Sequence, residues 1–336
     1  RQVLGAVYEA DFLGFSYGFR PRRSPHDALD ALGAAIKMRR VNWVLDLDFR
    51  DYFSRLDHQW LERFVEHRIA DRRVLRLIQK WLAAGVIENG SWTAFDEGVP
   101  QGASISPLLA NVYAHYVFDL WAHQWRRRHA RGDVVIVRFA DDAVVCFEHR
   151  DDAERFWVDL RDRLARFNLE LADEKTRLIE FGRFAAERRA ARGLGKPETF
   201  RFLGFTHICG KARSGRFKLK RITDSKRVPA KLNALKDGIE RRQHLPIPEQ
   251  GRWLASVLRG HYQYYAVPDN SKALHAFRRQ AEWHWFRALR HRSQRTTLTW
   301  ERMSRLADRW LPPPRVLRPW PEQRFHALTQ GRSPVR

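Results

Sequence analysis

The sequence has little cysteine and little acid. Only Cys146 and Cys209 occur in 336 residues. They sit in two separate apolar, strand-like runs, so neither a disulfide framework nor a four-cysteine zinc module can be built, and both read as buried thiols. Asp and Glu number 39 against 62 Lys and Arg, which gives a formal net charge of +23 and a pI near 10.9. That excess exceeds what solubility needs and points to a polyanionic partner, nucleic acid before a membrane surface. Long hydrophobic runs are also missing. Nothing approaches the ~20 apolar residues of a spanning helix, and the opening RQVLGAVYEADFLG has neither the charged start nor the apolar centre of a signal peptide. No membrane partner is expected, and the expected location is the cytoplasm. With 44% hydrophobic and 30% charged residues the chain is globular, with room for two cores.

What acid there is clusters. In Val134 to Glu148, VVIVRFADDAVVCFE, two apolar β-branched halves flank Ala140-Asp141-Asp142-Ala143, which predicts a hairpin with two adjacent carboxylates at its tip. Taken alone, the pair fits a solvated turn as well as a cation site. Desolvating carboxylates beside apolar strands is costly unless a divalent cation neutralises them. A second acidic stretch, VNWVLDLDFRDYF from Val41, alternates strictly. Trp43, Leu45, Leu47 and Phe49 fall on one face and Val44, Asp46 and Asp48 on the other. Asp48 and the Asp141-Asp142 pair, on strands of one sheet, are the stations that two-metal nucleotidyl transfer uses, with two Mg²⁺ ions about 3.5 to 4 Å apart.

The remaining stretches supply scaffold and positive charge. Ser24 is a helix N-cap before Pro25, and Arg20, Arg22 and Arg23 beside that helix start suit phosphate contacts or a solvated loop. Helical spacing predicts helices from about Asp57, over 71–84 and over 151–167. Gly98 to Pro107 is a loop into a helix, where Gly102 permits close approach and Gln101 offers a donor and an acceptor, or else a plain helix entry. Short strands are expected at 169–171 and 200–209. The order strand, helices, hairpin, helix, strand is that of a ferredoxin-like palm. Residues 1–215 form this part, 216–227 a basic linker, and 228–336 a helical bundle with a proline-rich, extended tail. Arg241, Arg242, Arg252, Arg259, Arg278 and Arg279 lie on polar faces of the bundle and suit a phosphate backbone.

FADD at Phe139, VPQG at Val99, DLDFRDYFSRLDH at Asp46, SYGFRP at Ser16, EKTR at Glu174 and FLGF at Phe202 match, in order, blocks of the group II intron-encoded reverse transcriptases and maturases. LRGHYQYY at Leu258, LTWERM and DRWLPPPR resemble the maturase-specific domain that acts as the polymerase thumb. The chain resembles this family over essentially its whole length. The resemblance implies an α+β fold, a reverse-transcriptase palm with partial fingers followed by an α-helical thumb/maturase domain. It also implies an RNA-directed DNA polymerase that binds intron RNA to assist splicing and mobility. Its cofactor would be Mg²⁺, two ions, and its partners dNTPs, an RNA template, group II intron RNA and a DNA primer or target. Carried over residue by residue, Asp48 and Asp141 ligate the metal ions and Asp142 sits beside them, with Asp46 a weaker candidate. Phe53 lies under the sugar and excludes a ribose 2′-hydroxyl, with Phe49 also at the nucleotide. Gln101 and Gly102 meet the templating pair, and Lys175 approaches the triphosphate. The family's N-terminal finger blocks would precede Ser16 and are not in the sequence, so the alternative reading is a splicing maturase with an idle polymerase. A cysteine- and histidine-rich endonuclease module is not expected.

Overall fold

The computed structural model describes residues 2–83, 86–88, 91–93, 97–99, 103–292, 298–321, 323 and 324. After α1 (Gln2–Asp11) comes α2 (Pro25–Met38). Ser24 caps α2 as its sequence requires, its Oγ accepting the Asp27 amide while the Asp27 carboxylate accepts the Ser24 amide. Strand β1 (Trp43–Asp48) follows, then α3 (His58–Glu66), α4 (Arg72–Ala83), the short pair β2 (Val86–Glu88) and β3 (Ser91–Thr93), α5 (Ser106–Ala114) and α6 (Leu120–Arg128). The acidic hairpin is β4 (Val134–Phe139) and β5 (Asp142–Phe147). Beyond it lie α7 (Arg150–Ala165), β6 (Arg177–Glu180), α8 (Ala185–Ala191), β7 (Phe200–Phe202), β8 (Phe205–Lys211) and β9 (Phe217–Thr223). The last third is α9 (Val228–Glu240), α10 (Ile247–Tyr265), α11 (Ser271–His291) and α12 (Trp300–Trp310).

The main sheet has the order β4-β5-β1-β6, every neighbouring pair antiparallel. With β1 and β4 joined through helices and β5 inserted between them, this is the split βαβ arrangement of a ferredoxin-like palm. The period-2 alternation of β1 has a direct consequence. Leu45 and Leu47 enter one core with Val145 and Phe147 of β5, while Val44 enters a second with Val144 and Cys146. Both faces of the sheet are therefore covered. The second core runs without a break from α2 through the sheet and β7–β9 into α10 and α11, so thumb and palm share one apolar interior.

Two expectations need correction. The basic linker over 216–227 is largely β9, whose seven residues pair in register with β8. Its cations hid an alternation in which Leu219, Arg221 and Thr223 point inward, and the buried Arg221 is tolerated because Asp30 of α2 pairs with it at 2.9 Å. The strand at 169–171 is only a single bridge, Leu171 to Phe49, and the fourth palm strand lies at Arg177–Glu180. After α12 the described chain over 311–320 has no regular structure, and the described chain beyond it returns to the palm. Leu317 donates to the Ala266 carbonyl, and Arg324 pairs with Asp27 and Asp30.

Candidate active site

The carboxylates converge because of register. Asp48 ends β1 directly opposite Asp142, and Phe139 of β4 faces Asp142 from the other side. Asp141 occupies the turn between them. That turn is built on Ala140 in the left-handed region, φ 58°, a conformation that costs a β-carbon roughly 1 kcal/mol and must be held from outside.

Two elements hold it. Ser16 to Gly18 runs beside β4, with the Tyr17 amide donating to the Arg138 carbonyl at 2.8 Å. Gly18 lies so close that a β-carbon there would come within 2.3 Å of the Ala140 nitrogen, which explains the glycine in the SYGFRP block. Beneath the turn sits Arg138, fully buried. Its guanidinium makes a forked pair with Asp119 at 2.7 and 2.6 Å and donates to Ser16 Oγ, Asn111 Oδ1 and, at 2.8 Å, the Ala140 carbonyl. Asp119 is delivered by a π turn over His115–Asp119 between α5 and α6, a widening often found at functional sites. Burial alone would lower the Arg138 pKa, but the Asp119 charge and hydrogen bonds hold it above its ordinary value.

The site carboxylates lack such partners. Desolvation first, then the Asp46 charge, pushes Asp142 up to about 7, against the opposing pull of the nearby Leu203 backbone. Asp46 is pushed up to about 6 by desolvation against the opposing pull of Arg177, with Asp48 adding to the rise. Asp141 is raised as well, by desolvation and then by Asp48. Lys175 lies 3.5 Å from Asp48, both side chains largely exposed. Leu203 belongs to the FLGF block, where it takes φ 47° before Gly204 at φ 78°, and its carbonyl accepts the Tyr264 hydroxyl of α10 at 2.8 Å. The thumb thus touches the turn that touches Asp142. Among the described residues no three acidic, imidazole or thiol side chains converge into a closed cation cage.

Other expected site residues fall apart into groups. Phe53 is half-buried on a 3₁₀ turn over Tyr52–Ser54, its ring edge-on to Tyr52 at 5.5 Å. Phe49 is buried, packed edge-on against Phe118 at 5.7 Å. The core therefore claims the ring that was expected at the nucleotide. Gln101 and Gly102 lie outside the described residues. Arg20 is also corrected, because all its donors are engaged by Glu9 and by the carbonyls of Phe12, Leu13 and Ser16, leaving none for a phosphate. Arg278 is neutralised by Glu282 and Asp308. Arg23 donates to the Gly14 carbonyl, and Arg242 donates to the Gly238 carbonyl while lying 4.5 Å over Trp253. Arg22, Arg241, Arg252, Arg259 and Arg279 are exposed and make no ion pair among the described residues. The Arg138–Asp119 pair was missed, since nothing local in the sequence marks partners 19 residues apart.

Residues 2–207 match the family model described as reverse transcriptase (RNA-dependent DNA polymerase). The chain belongs to the reverse transcriptase family. The chain is similar to protein YkfC of Escherichia coli strain K12, 40% identical over 125 residues, which is 36% of this chain and 32% of that protein. It is also similar to the group II intron-encoded protein LtrA of Lactococcus lactis subsp. cremoris, 38% over 115 residues, 34% of this chain and 19% of that protein. A third relative is the nuclear intron maturase 3, mitochondrial, of Arabidopsis thaliana, 32% over 116 residues, 34% of this chain and 16% of that protein. The matches thus span less than a third of these relatives' own lengths. A solved apo telomerase from Candida tropicalis aligns with a TM-score of 0.49 at 12% identity, over 91% of this chain and 51% of that one. No described helix is long and apolar enough to cross a membrane.

Proposed function

We propose that this reverse transcriptase copies RNA into DNA with two Mg²⁺ ions and also binds group II intron RNA to assist splicing and mobility. The observation that carries the reading is the open row of carboxylates at the strand ends, where Asp141 and Asp142 make no ion pair among the described residues and Asp46 and Asp48 have only the loose pairs with Arg177 and Lys175. Asp48 and Asp141 would hold the ions, with Asp142 beside them, and the oxygen-only donor set suits a hard cation. The absence of a closed cage fits too, because Mg²⁺ is commonly held by one or two carboxylates with substrate phosphates completing its shell. When bound, such ions activate the attacking hydroxyl and neutralise charge on the leaving phosphates. The chain's own groups do the rest. Arg138 and Gly18 fix the turn that aims Asp141, Lys175 is placed to meet a triphosphate arriving at Asp48, and the half-buried Phe53 is the candidate for sensing the sugar. Exposed cations such as Arg252 and Arg259, seven residues apart on α10, supply a salt-sensitive hold on the nucleic-acid backbone. Similarity to LtrA and to an intron maturase supports the intron-RNA half of the reading.

Primer extension on an RNA template with Mg²⁺ tests the proposal, with Asp141→Asn as the paired variant. Template-dependent DNA synthesis is expected from the parent. The variant should lose about 10³-fold, roughly 4 kcal/mol of transition-state stabilisation, with RNA affinity unchanged. A parent that binds RNA but never extends a primer would instead be a maturase with an idle polymerase.

A further inference from the structure

At the far end of the palm sheet from the carboxylates lies a cavity of about 820 Å³ between α8 and the β8–β9 hairpin, of a size that drug-sized ligands fill. Its position follows from the strand. Phe181 and Gly182 pack against Val41 and Asn42, just before β1 begins, whereas Asp48 ends β1. At about 3.3 Å per residue the two sites are roughly 20 Å apart. A ligand here is not the nucleotide at the carboxylates.

The lining has a consistent chemistry. Its floor is apolar, from Ile208 and Phe217, with the Cys209 thiol tied to the Gly182 backbone. At the rim Phe184 is 50% exposed. Lys196, Lys211 and Arg216 stand around it, all exposed and all without an ion pair among the described residues. Glu187 is the lone carboxylate in the lining. The contrast with α8 itself is informative. Arg188 of that helix and Arg192 just beyond it are drawn to Glu180, and Arg189 to Glu198, whereas Lys196, Lys211 and Arg216 are left without an ion pair among the described residues. An exposed aromatic ring beside an apolar floor, ringed by unpaired cations, is the arrangement that takes an unstacked base with its phosphates.

We infer that this cavity docks an unpaired loop of folded RNA, one base stacking on Phe184 and the flanking phosphates meeting Lys196, Lys211 and Arg216. The inference deepens the RNA-binding half of the proposed function and rests on it. The ligand is single-stranded, since a regular duplex keeps its bases stacked and would offer the ring nothing.

The test uses the full chain with two changes at exposed positions, the triple variant Lys196→Ala, Lys211→Ala, Arg216→Ala and the single variant Phe184→Ala. The probes are a stem-loop RNA, the same stem as a blunt duplex, and a poly-glutamate peptide. The triple variant should bind the stem-loop about tenfold more weakly or worse, with a log-log salt slope shallower by about 2, from three phosphates at roughly 0.7 each. Phe184→Ala should weaken it about fivefold or more. Duplex affinity and primer extension on a short unstructured template should not change. Parental stem-loop affinity in both variants would overturn the inference, as would loss of poly-glutamate binding with RNA affinity kept, which would assign the cavity to an acidic protein. Variants that lose the stem-loop while the parent extends no primer would keep the cavity and sink the polymerase reading. A parent that polymerises while both variants bind RNA normally would sink the cavity alone.

Discussion

Arg138 and Asp141 are three residues apart and live in opposite surroundings. Arg138 is fully buried, and Asp119, Ser16, Asn111 and the Ala140 carbonyl accept its hydrogen bonds. Asp141 and its neighbours Asp142 and Asp46 are pushed toward their neutral forms because desolvation and mutual repulsion outweigh the pull of the nearby arginines. Buried charge that serves structure is saturated with partners, since an unpaired one costs several kcal/mol. Charge that serves chemistry is left wanting one. The saturated group also holds the unsaturated one in place, through a single hydrogen bond to the strained residue before it.

The largest effect expected from breaking this contrast is at Arg138. Arg138→Met leaves Asp119 buried without its partner and should cost about 3 to 5 kcal/mol, read by urea unfolding, whereas Asp141→Asn should leave stability nearly unchanged. The double variant Arg138→Met, Asp119→Leu replaces the pair with apolar volume and should recover most of that stability. DNA synthesis should not recover with it, because the tether on Ala140 is still missing. A double variant that regained both would show that the pair does not position the turn.

What the sequence showed of this site depended on range. Period-2 alternation placed Asp46 and Asp48 on one face and Phe49 on the apolar one, and the structure agrees on each. The expectation that also put Phe49 at the nucleotide came from family likeness, and Phe118, 69 positions away in the chain, decides against it. The FLGF turn was legible as a motif, but its contact with Asp142 and with Tyr264 depends on how the thumb packs. β9 was hidden by its own lysines and arginines, which alternation statistics treat as solvent-facing until a partner such as Asp30 is known. Arg20 looked like a phosphate ligand for the same reason, and Glu9 takes that role away. Local pattern reports which face is apolar. It cannot report which buried charge finds a partner.

His207 sharpens the contrast from the uncharged side. It is completely buried, stacked on Phe200 with ring centres 4.6 Å apart, and burial, helped by the charge of Arg221, pushes its pKa down to about 3. The unfolded chain therefore takes up a proton below about 6.5 that the folded chain refuses. The stability contributed by the neutral ring is complete above that pH and is lost as pH falls toward 3. At pH 5 the loss amounts to up to about 2 kcal/mol. His207→Phe keeps the stack and cannot titrate, so its Tm should fall less steeply than the parent's between pH 7 and 5. Parallel curves would mean that this imidazole takes up its proton in the folded protein as readily as in the unfolded chain.

The smallest effect is at Phe53, the less buried of the two rings expected at the nucleotide. Phe49 and Phe53 are a turn apart, and only Phe53 keeps its ring partly in solvent, its backbone fixed by the Val99 amide donating to its carbonyl at 2.9 Å. If the ring lies under the sugar of an incoming nucleotide, it discriminates by contact, and contact discrimination is modest, about 10- to 200-fold for a missing or added small group in an apolar pocket. Phe53→Ala should therefore raise incorporation of ribonucleotides relative to deoxynucleotides by about tenfold, roughly 1.4 kcal/mol, while deoxynucleotide use falls by less. Phe49→Ala should do something different, lowering stability by about 3 kcal/mol or more through the cavity it leaves without altering the ratio. Steady-state incorporation of the two sugar types by both variants, with unfolding curves alongside, separates the roles. An unchanged ratio in a stable Phe53→Ala protein would return that ring to the core with Phe49, and the basis of sugar choice would then have to lie in other residues around the carboxylates.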